Sequence, residues 1–240
     1  MLNIATDLDI RRETEIIKLI KLFKGLDFIV VDGYAVDAYT IHRFSIDLDI
    51  VVRKQDLTKF EKLIIKGGYE LKTEKKDFDL VYSGEFKQYI KNEVTVDFLV
   101  NSLVSRTTDA SWGFDTILNN SSKRMINGLT KSIEAVVPTK EMLVAMKLHS
   151  GRTTDLRDIT MLAIDLDNEK ILSLVDRGKK ESLKGIIEKY IDTLKSKNFV
   201  DSLKGVFSIG KKRKINLAEI QIKKTLKLLE LLKDKSSKGL

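Results

Sequence analysis

Two aspartates one residue apart stand in the run Arg43-Phe44-Ser45-Ile46-Asp47-Leu48-Asp49-Ile50-Val51-Val52. The residues alternate, so a strand here would place Phe44, Ile46, Leu48, Ile50 and Val52 on one face and Arg43, Ser45, Asp47 and Asp49 on the other. Two carboxylates side by side on one face repel each other unless a cation lies between them. The spacing therefore points to a divalent metal site. Just upstream, Phe28 to Ala35 reads as a short apolar strand, a turn at Gly33 and the start of a helix. Backbone N–H groups at such a helix start can face a phosphate. Gly33 would let the backbone approach the β- and γ-phosphates, and Ser45 could add a hydroxyl donor. Arg43 would either neutralise phosphate or anchor an acid. The plain alternative for Gly33 is an ordinary strand-to-helix turn. Metal ligands beside a phosphate cradle point to nucleotide chemistry.

A third aspartate lies in Val94-Thr95-Val96-Asp97-Phe98-Leu99-Val100. Alternation turns Val94, Val96, Phe98 and Val100 inward and leaves Thr95, Asp97 and Leu99 on the opposite face. Alone, Asp97 reads equally well as a surface acid on an edge strand. With Asp47 and Asp49 it could complete a site for two ions about 3.5–4 Å apart. Farther on, Lys147, Arg152 and Arg157 are spaced by five, which a straight helix would scatter around its surface. A break at Gly151 could turn Lys147 and Arg157 to one cleft. The alternative is a set of charges on a solvated helix face. His42 reads as a turn residue and His149, with no partner in sequence, as structural.

These landmarks together resemble the DNA polymerase beta-like nucleotidyltransferase superfamily: a strand, a glycine turn, a helix, then a strand carrying Asp-x-Asp. The wording Gly33-Tyr34-Ala35-Val36 followed by Arg43-x-Ser45-x-Asp47-Leu48-Asp49 is similar to the AbiEii-type branch, which includes toxins of toxin–antitoxin and abortive-infection systems. The resemblance spans roughly residues 28–160. It implies that Asp97 is a third catalytic carboxylate on a neighbouring strand, that two Mg²⁺ ions are bound, that Lys147 meets the nucleotide phosphates, and that Asp158 fixes Lys147 or Arg152. Two positions depart from the pattern. The family's first glycine is Asp32 here, and Met161 stands where the branch often has an aspartate. A carboxylate at position 32 opposes a triphosphate unless it points away or helps to hold a metal.

The elements around these residues follow from periodicity and punctuation. Helical spacing predicts a helix over residues 13–24 stopped by Gly25, a strand over 28–31, a short helix over about 34–41, and a helix after Asp56 through Ile65 closed by Gly67-Gly68. Short strands are expected at 69–73, 78–82, 86–90 and 94–100, and a strand pair near 123–126 and 133–137. Residues 101–120 give no single reading, although Trp112-Gly113-Phe114 is expected to pack against the sheet edge. Thr139, after the single proline, Pro138, is a plausible helix cap, and helical spacing then continues. The last helix is expected over about 217–232 with a stripe of Leu217, Ile220, Leu226, Leu229 and Leu232.

The fold expected is α+β: a nucleotidyltransferase-like mixed sheet with flanking helices over residues 1–137, then a helical bundle over residues 138–240. At 240 residues the chain is long enough to bury a core in each part. Hydrophobic content of 42% and charged content of 32% are those of a soluble globular protein. The absence of cysteine excludes disulfides and thiolate metal sites. No apolar run approaches a membrane span and no signal peptide is evident, so a cytoplasmic protein without membrane contact is expected. Formal net charge is +8, and residues 211–240, with ten basic and three acidic side chains, carry +7 of it. Lys211, Lys212, Arg213 and Lys214 open that segment and are candidate RNA contacts; a lysine-rich solvated face is the alternative.

The activity expected is Mg²⁺-dependent transfer of a nucleotidyl group from a nucleoside triphosphate to an acceptor. The resemblance favours the 3′ end of tRNA, with a cognate antitoxin as partner. A protein or small-molecule hydroxyl, or a degenerate protein that only binds, remain the other readings.

Overall fold

The computed structural model describes residues 6–40, 45–129, 131–206 and 215–237. Helix α1 (Asp7–Leu22) starts at a capping box in which the Thr6 hydroxyl accepts from the Asp9 N–H and the Asp9 carboxylate accepts from the Thr6 N–H. It is followed by β1 (Phe28–Val31), α2 (Asp32–Asp37), β2 (Asp47–Val52) and α3 (Leu57–Lys66). Strands β3 (Glu70–Asp79), β4 (Gly84–Lys91) and β5 (Val94–Val100) complete a five-stranded mixed sheet in the order β1-β2-β5-β4-β3. The β2–β5 pair is parallel and the other pairs are antiparallel. This is the expected mixed sheet with flanking helices.

One sheet face is closed by aromatic packing. Phe23 after α1 and Phe60 on α3 have ring centroids 5.1 Å apart, and Phe98 on β5 lies 6.1 and 5.9 Å from them. Tyr89 on β4 stacks edge-on against Phe98. Val94, Val96, Phe98 and Val100 are all buried on this face, so the alternation read from sequence places Asp97 on the other one.

A two-stranded ribbon of β6 (Ser102–Val104) and β7 (Ser111–Gly113), then α4 (Phe114–Asn119) and the hairpin of β8 (Ser121–Asn127) and β9 (Ser132–Pro138), follow the sheet. The chain then becomes helical: α5 (Lys140–Ser150), α6 (Thr153–Leu162), α7 (Asn168–Val175), α8 (Lys180–Lys195), α9 (Lys197–Val206) and α10 (Ile215–Ser237). The Thr139 hydroxyl accepts from the Met142 N–H and caps α5. None of the described helices is long and apolar enough to cross a membrane.

Several expectations are corrected. Ile46 is exposed rather than inward, because β2 begins only at Asp47. The two strands expected at 69–73 and 78–82 are one, β3, carried across its charged middle by the ladder to β4 with irregular register and by the Lys87–Glu74 ion pair at 3.1 Å. Asp56 makes no cap hydrogen bond; its carboxylate pairs with Lys59 at 2.7 Å. Of Trp112-Gly113-Phe114, Trp112 takes its partner from the helical part, its indole N–H donating to the Leu174 carbonyl, whereas Phe114 lies against the ends of the sheet strands, with Arg53 over its ring at 4.1 Å and its N–H donating to the Asn101 carbonyl. On α10 the buried residues include Ala218, Ile222, Leu228, Leu229 and Leu232, while Ile220 is exposed.

His149 is fully buried against Trp112, with ring centroids 5.3 Å apart. Its Nε2 lies 3.0 Å from the Val175 carbonyl, which can only accept, so that nitrogen carries the proton and Nδ1 accepts from Thr108, 2.7 Å away. Burial, against the opposing pull of the Val175 carbonyl, lowers its pKa to about 4. An unfolded histidine titrates near 6.5, so between pH 6.5 and 4 the unfolded chain binds the extra proton. Stability is unaffected by this group above pH 6.5 and falls by about 3 kcal/mol as the pH drops to 4. With two histidines in the chain, a proton NMR titration is expected to show one imidazole that stays neutral at pH 5; two imidazoles titrating near 6.5 would contradict this packing.

Candidate active site

Strand β2 brings Asp47 and Asp49 to the open face of the sheet, and β5, paired in parallel register, sets Asp97 directly beside Asp49. Both strands have ladder partners on either side, so backbone hydrogen bonding fixes these positions. All three aspartates are half-buried. The Ser45 hydroxyl donates to Asp47 Oδ1 at 3.3 Å, which makes it a support for the carboxylate. Gln88 on β4, opposite Asp97 in the ladder, donates to Asp97 Oδ1 at 2.8 Å. Asp49 has neither a hydrogen bond nor an ion pair among the described residues. Burial and the charges of Asp32, Asp47 and Asp97 push its carboxyl well above the usual carboxylate range. Burial, with Asp47 adding to it, raises Asp97 to about 6 despite the Gln88 hydrogen bond.

The turn into α2 is made by Asp32 in the left-handed region, φ 52°, and not by Gly33, which is buried in the first turn. Aspartate tolerates this conformation better than most residues, though not as freely as glycine. The Asp32 carboxylate is directed at the helical layer. Its Oδ1 lies 2.5 Å from Lys147 Nζ and its Oδ2 lies 2.8 Å from Arg152 Nη2.

Lys147 reaches this place from α5, and Arg152 from the turn where Gly151, φ 73°, ends that helix. A Cβ at Gly151 would also come within 2.9 Å of Cδ1 of Ile186, the end of a side chain that can shift, so it is the left-handed backbone that selects glycine. After the turn, α6 presents Asp155 and Asp158. Lys147 Nζ pairs with Asp158 at 2.7 Å and with Asp155 at 3.1 Å, and Arg152 Nε pairs with Asp155 at 2.7 Å. Burial alone would lower the pKa of Lys147, but Asp32, Asp158 and Asp155 hold it well above the usual lysine range.

Asp32, Asp49, Lys147 and Arg152 line one cavity of about 390 Å³ between sheet and helices, with Leu99 and Met146 among its apolar walls. The donor chemistry at Asp47, Asp49 and Asp97 suits a divalent ion, since all three offer hard carboxylate oxygens and Asp49 has no ion pair among the described residues, although the three do not bring one oxygen each within 4.8 Å of one another. Asp32, Asp155 and Asp158 do bring carboxylate oxygens within 4.8 Å of one another. That second cluster is already bridged by the ammonium of Lys147, so its cation is internal to the chain.

The structure thus brings Asp47, Asp49, Asp97, Ser45, Lys147 and Asp158 into one region. Arg157 stays out of the cavity lining, and its Nε is buried with no hydrogen-bond partner among the described residues. Arg43 and the segment Lys211, Lys212, Arg213 and Lys214 lie outside the described residues. Asp155 was not singled out from sequence, although Arg152-x-x-Asp155 has the spacing of a helix-start ion pair.

No protein-family model matches the sequence, and no curated protein matches it. Among solved structures, the fold is similar to that of the antibiotic-resistance factor ANT(2″)-Ia, a nucleotidyltransferase, at 13% identity and a TM-score of 0.51, over 70% of this chain and 90% of that one. A candidate nucleotidyltransferase from H. pylori aligns over 98% of both chains at 18% identity and a TM-score of 0.49. The lincosamide antibiotic adenylyltransferase LnuA aligns over 68% of this chain and 100% of its own at 17% identity and 0.42. The chain has the nucleotidyltransferase fold.

Proposed function

We propose that the protein transfers a nucleoside monophosphate from a nucleoside triphosphate to a hydroxyl acceptor and releases pyrophosphate. The observation that carries this reading is the placement of Asp47, Asp49 and Asp97 on two paired parallel strands, with Asp49 lining a cavity that also holds Lys147 and Arg152. In this reading Asp47, Asp49 and Asp97 hold two Mg²⁺ ions. Such ions, when bound, offset charge on the triphosphate and make the acceptor hydroxyl more acidic. Arg152, whose side chain is more than half exposed, would orient the phosphates. Asp97, which the ladder sets beside Asp49, would serve either as a metal ligand or as the acceptor of the hydroxyl proton. The acceptor oxygen then bonds to the α-phosphorus as the bond from that phosphorus to the pyrophosphate oxygen breaks. Helices from residue 138 onward, read as a second domain, bring Lys147 and Arg152 to the sheet. Incubating the protein with each α-labelled triphosphate, Mg²⁺ and total RNA tests the reading. Label in RNA is the expected result; no transfer to any acceptor pool would overturn it.

RNA is the acceptor class favoured by the basic run Lys211, Lys212, Arg213 and Lys214, and the AbiEii-type resemblance makes the tRNA 3′ end and a cognate antitoxin the specific expectation. Phosphate contacts release counterions, so RNA affinity should fall with salt by a log–log slope of roughly 0.7–0.9 per contact. Replacing the four residues with Gln is expected to flatten that slope by about 3 and to weaken RNA binding, with nucleotide binding unchanged. An unchanged slope would remove the charge argument for RNA. A small-molecule hydroxyl is the second reading, favoured by a cavity of about 390 Å³, a volume suited to a small ligand. Label appearing in a low-molecular-weight acceptor and not in RNA would establish it.

A further inference from the structure

The Asp32 carboxylate, Lys147 and Arg152 form an arrangement that anchoring of the two cations does not require. Lys147 is held from beneath by Asp155 and Asp158, whose side chains are almost completely buried and do not line the cavity. Arg152 is held by the same Asp155 through Nε and Nη2. Asp32 meets both cations from the other side: it lines the cavity, and its side chain is 31% exposed. One carboxylate thus spans the cavity-facing donors of a lysine and an arginine, the way a phosphate would. It does so from a backbone at φ 52°, a conformation that costs a non-glycine residue free energy.

We propose that Asp32 is an internal anion seated on the Lys147–Arg152 pair, and that a polyphosphate must displace it to reach those cations. This deepens the transferase reading and rests on it for the identity of the substrate. The seat is occupied in the resting protein by the chain itself, so weakly charged anions are excluded. A triphosphate, with more charge and more oxygens, competes where a single carboxylate or inorganic phosphate does not. Asp32 is then a specificity-determining residue at the position where the resembling family keeps glycine.

The test is calorimetric titration of the full chain with inorganic tripolyphosphate, comparing the parent protein with Asp32→Asn and Asp32→Gly. Asn keeps the shape and removes the charge; Gly also relieves the left-handed backbone. Both variants are expected to bind tripolyphosphate at least about tenfold more tightly, because a like charge at ion-pair distance from the phosphate seat is gone. Adding Arg152→Gln to Asp32→Asn is expected to cancel most of the gain. Unchanged or weaker binding in folded variants overturns the proposal. So does failure of both variants to fold, since Asp155 and Asp158 would then not suffice to hold the cations. The result is separable from the transferase reading. Tighter tripolyphosphate binding with no nucleotidyl transfer to any acceptor keeps this inference and removes that reading; transfer with unchanged anion affinity does the reverse.

Discussion

Asp49→Asn is expected to abolish nucleotidyl transfer and to make the protein more stable. Asp49 is the carboxylate on which the others converge: burial and the charges of Asp32, Asp47 and Asp97 all disfavour its ionised form. In the proposed reaction it is the ligand that β2 sets directly beside Asp97 of β5, and a divalent ion contributes several kcal/mol to stabilising charge in the transition state. Loss of its charge should lower turnover by at least about 10³-fold. The same substitution removes repulsion in the unliganded protein. A gain on the order of 1 kcal/mol would raise Tm by about 2–4 °C for a chain of this size. Turnover within tenfold of the parent would take Asp49 out of the metal set. A fall in Tm would mean that the folded chain supplies Asp49 with a partner.

Lys147→Met should have the largest effect on folding. Lys147 Nζ has three carboxylate partners between 2.5 and 3.1 Å, and its side chain is 4% exposed. Replacement by an apolar side chain of similar length keeps the volume but leaves Asp155 and Asp158 buried without their shared cation. Breaking a buried ion pair from one side costs about 3–5 kcal/mol, equivalent here to a fall in Tm of roughly 6–20 °C. Neutralising Asp158 as well, by Asp158→Asn in the Lys147→Met background, should recover part of the loss, because part of the penalty lies in a buried carboxylate that has lost its lysine. Chemical denaturation of the two single variants and the double variant measures this coupling. Additive losses would show that Lys147 stabilises the fold through packing alone.

What was legible in the sequence was what local pattern decides. Val94 to Val100 alternates without a fault because one face meets the Phe23–Phe60 aromatic layer and the other meets the cavity. The Thr139 cap was legible for the same reason, since its hydrogen bond reaches only to Met142. The Thr6 capping box was missed because Asp9 stands where a longer acid is the usual signal, so α1 begins several residues before its apolar stripe. The middle of β3, from Glu74 to Asp77, looked like a turn because its residues are charged. On an exposed strand, pairing with β4 outweighs that propensity. Residues 101–120 gave no pattern because Trp112 and Thr108 take their partners from α7 and α5. At the site, sequence spacing placed Asp47 and Asp49 together but could not show where Asp32 points. That direction depends on two cations more than a hundred residues away.

The 115 positions between Asp32 and Lys147 also set an order of events at the ribosome. At roughly 5–20 residues per second, the lysine is added about 6–23 s after the aspartate. Once Asp97 has been added, and until Lys147 follows, the nascent chain carries Asp32, Asp47, Asp49 and Asp97 without either of the cations that later face them. Early collapse of β1, β2 and β5 therefore proceeds against mutual repulsion, and arrival of α5 relieves it. Assembly of the cleft is accordingly a late step of biosynthesis. A chain interrupted just short of Lys147 would hold the carboxylates and no seat for a phosphate.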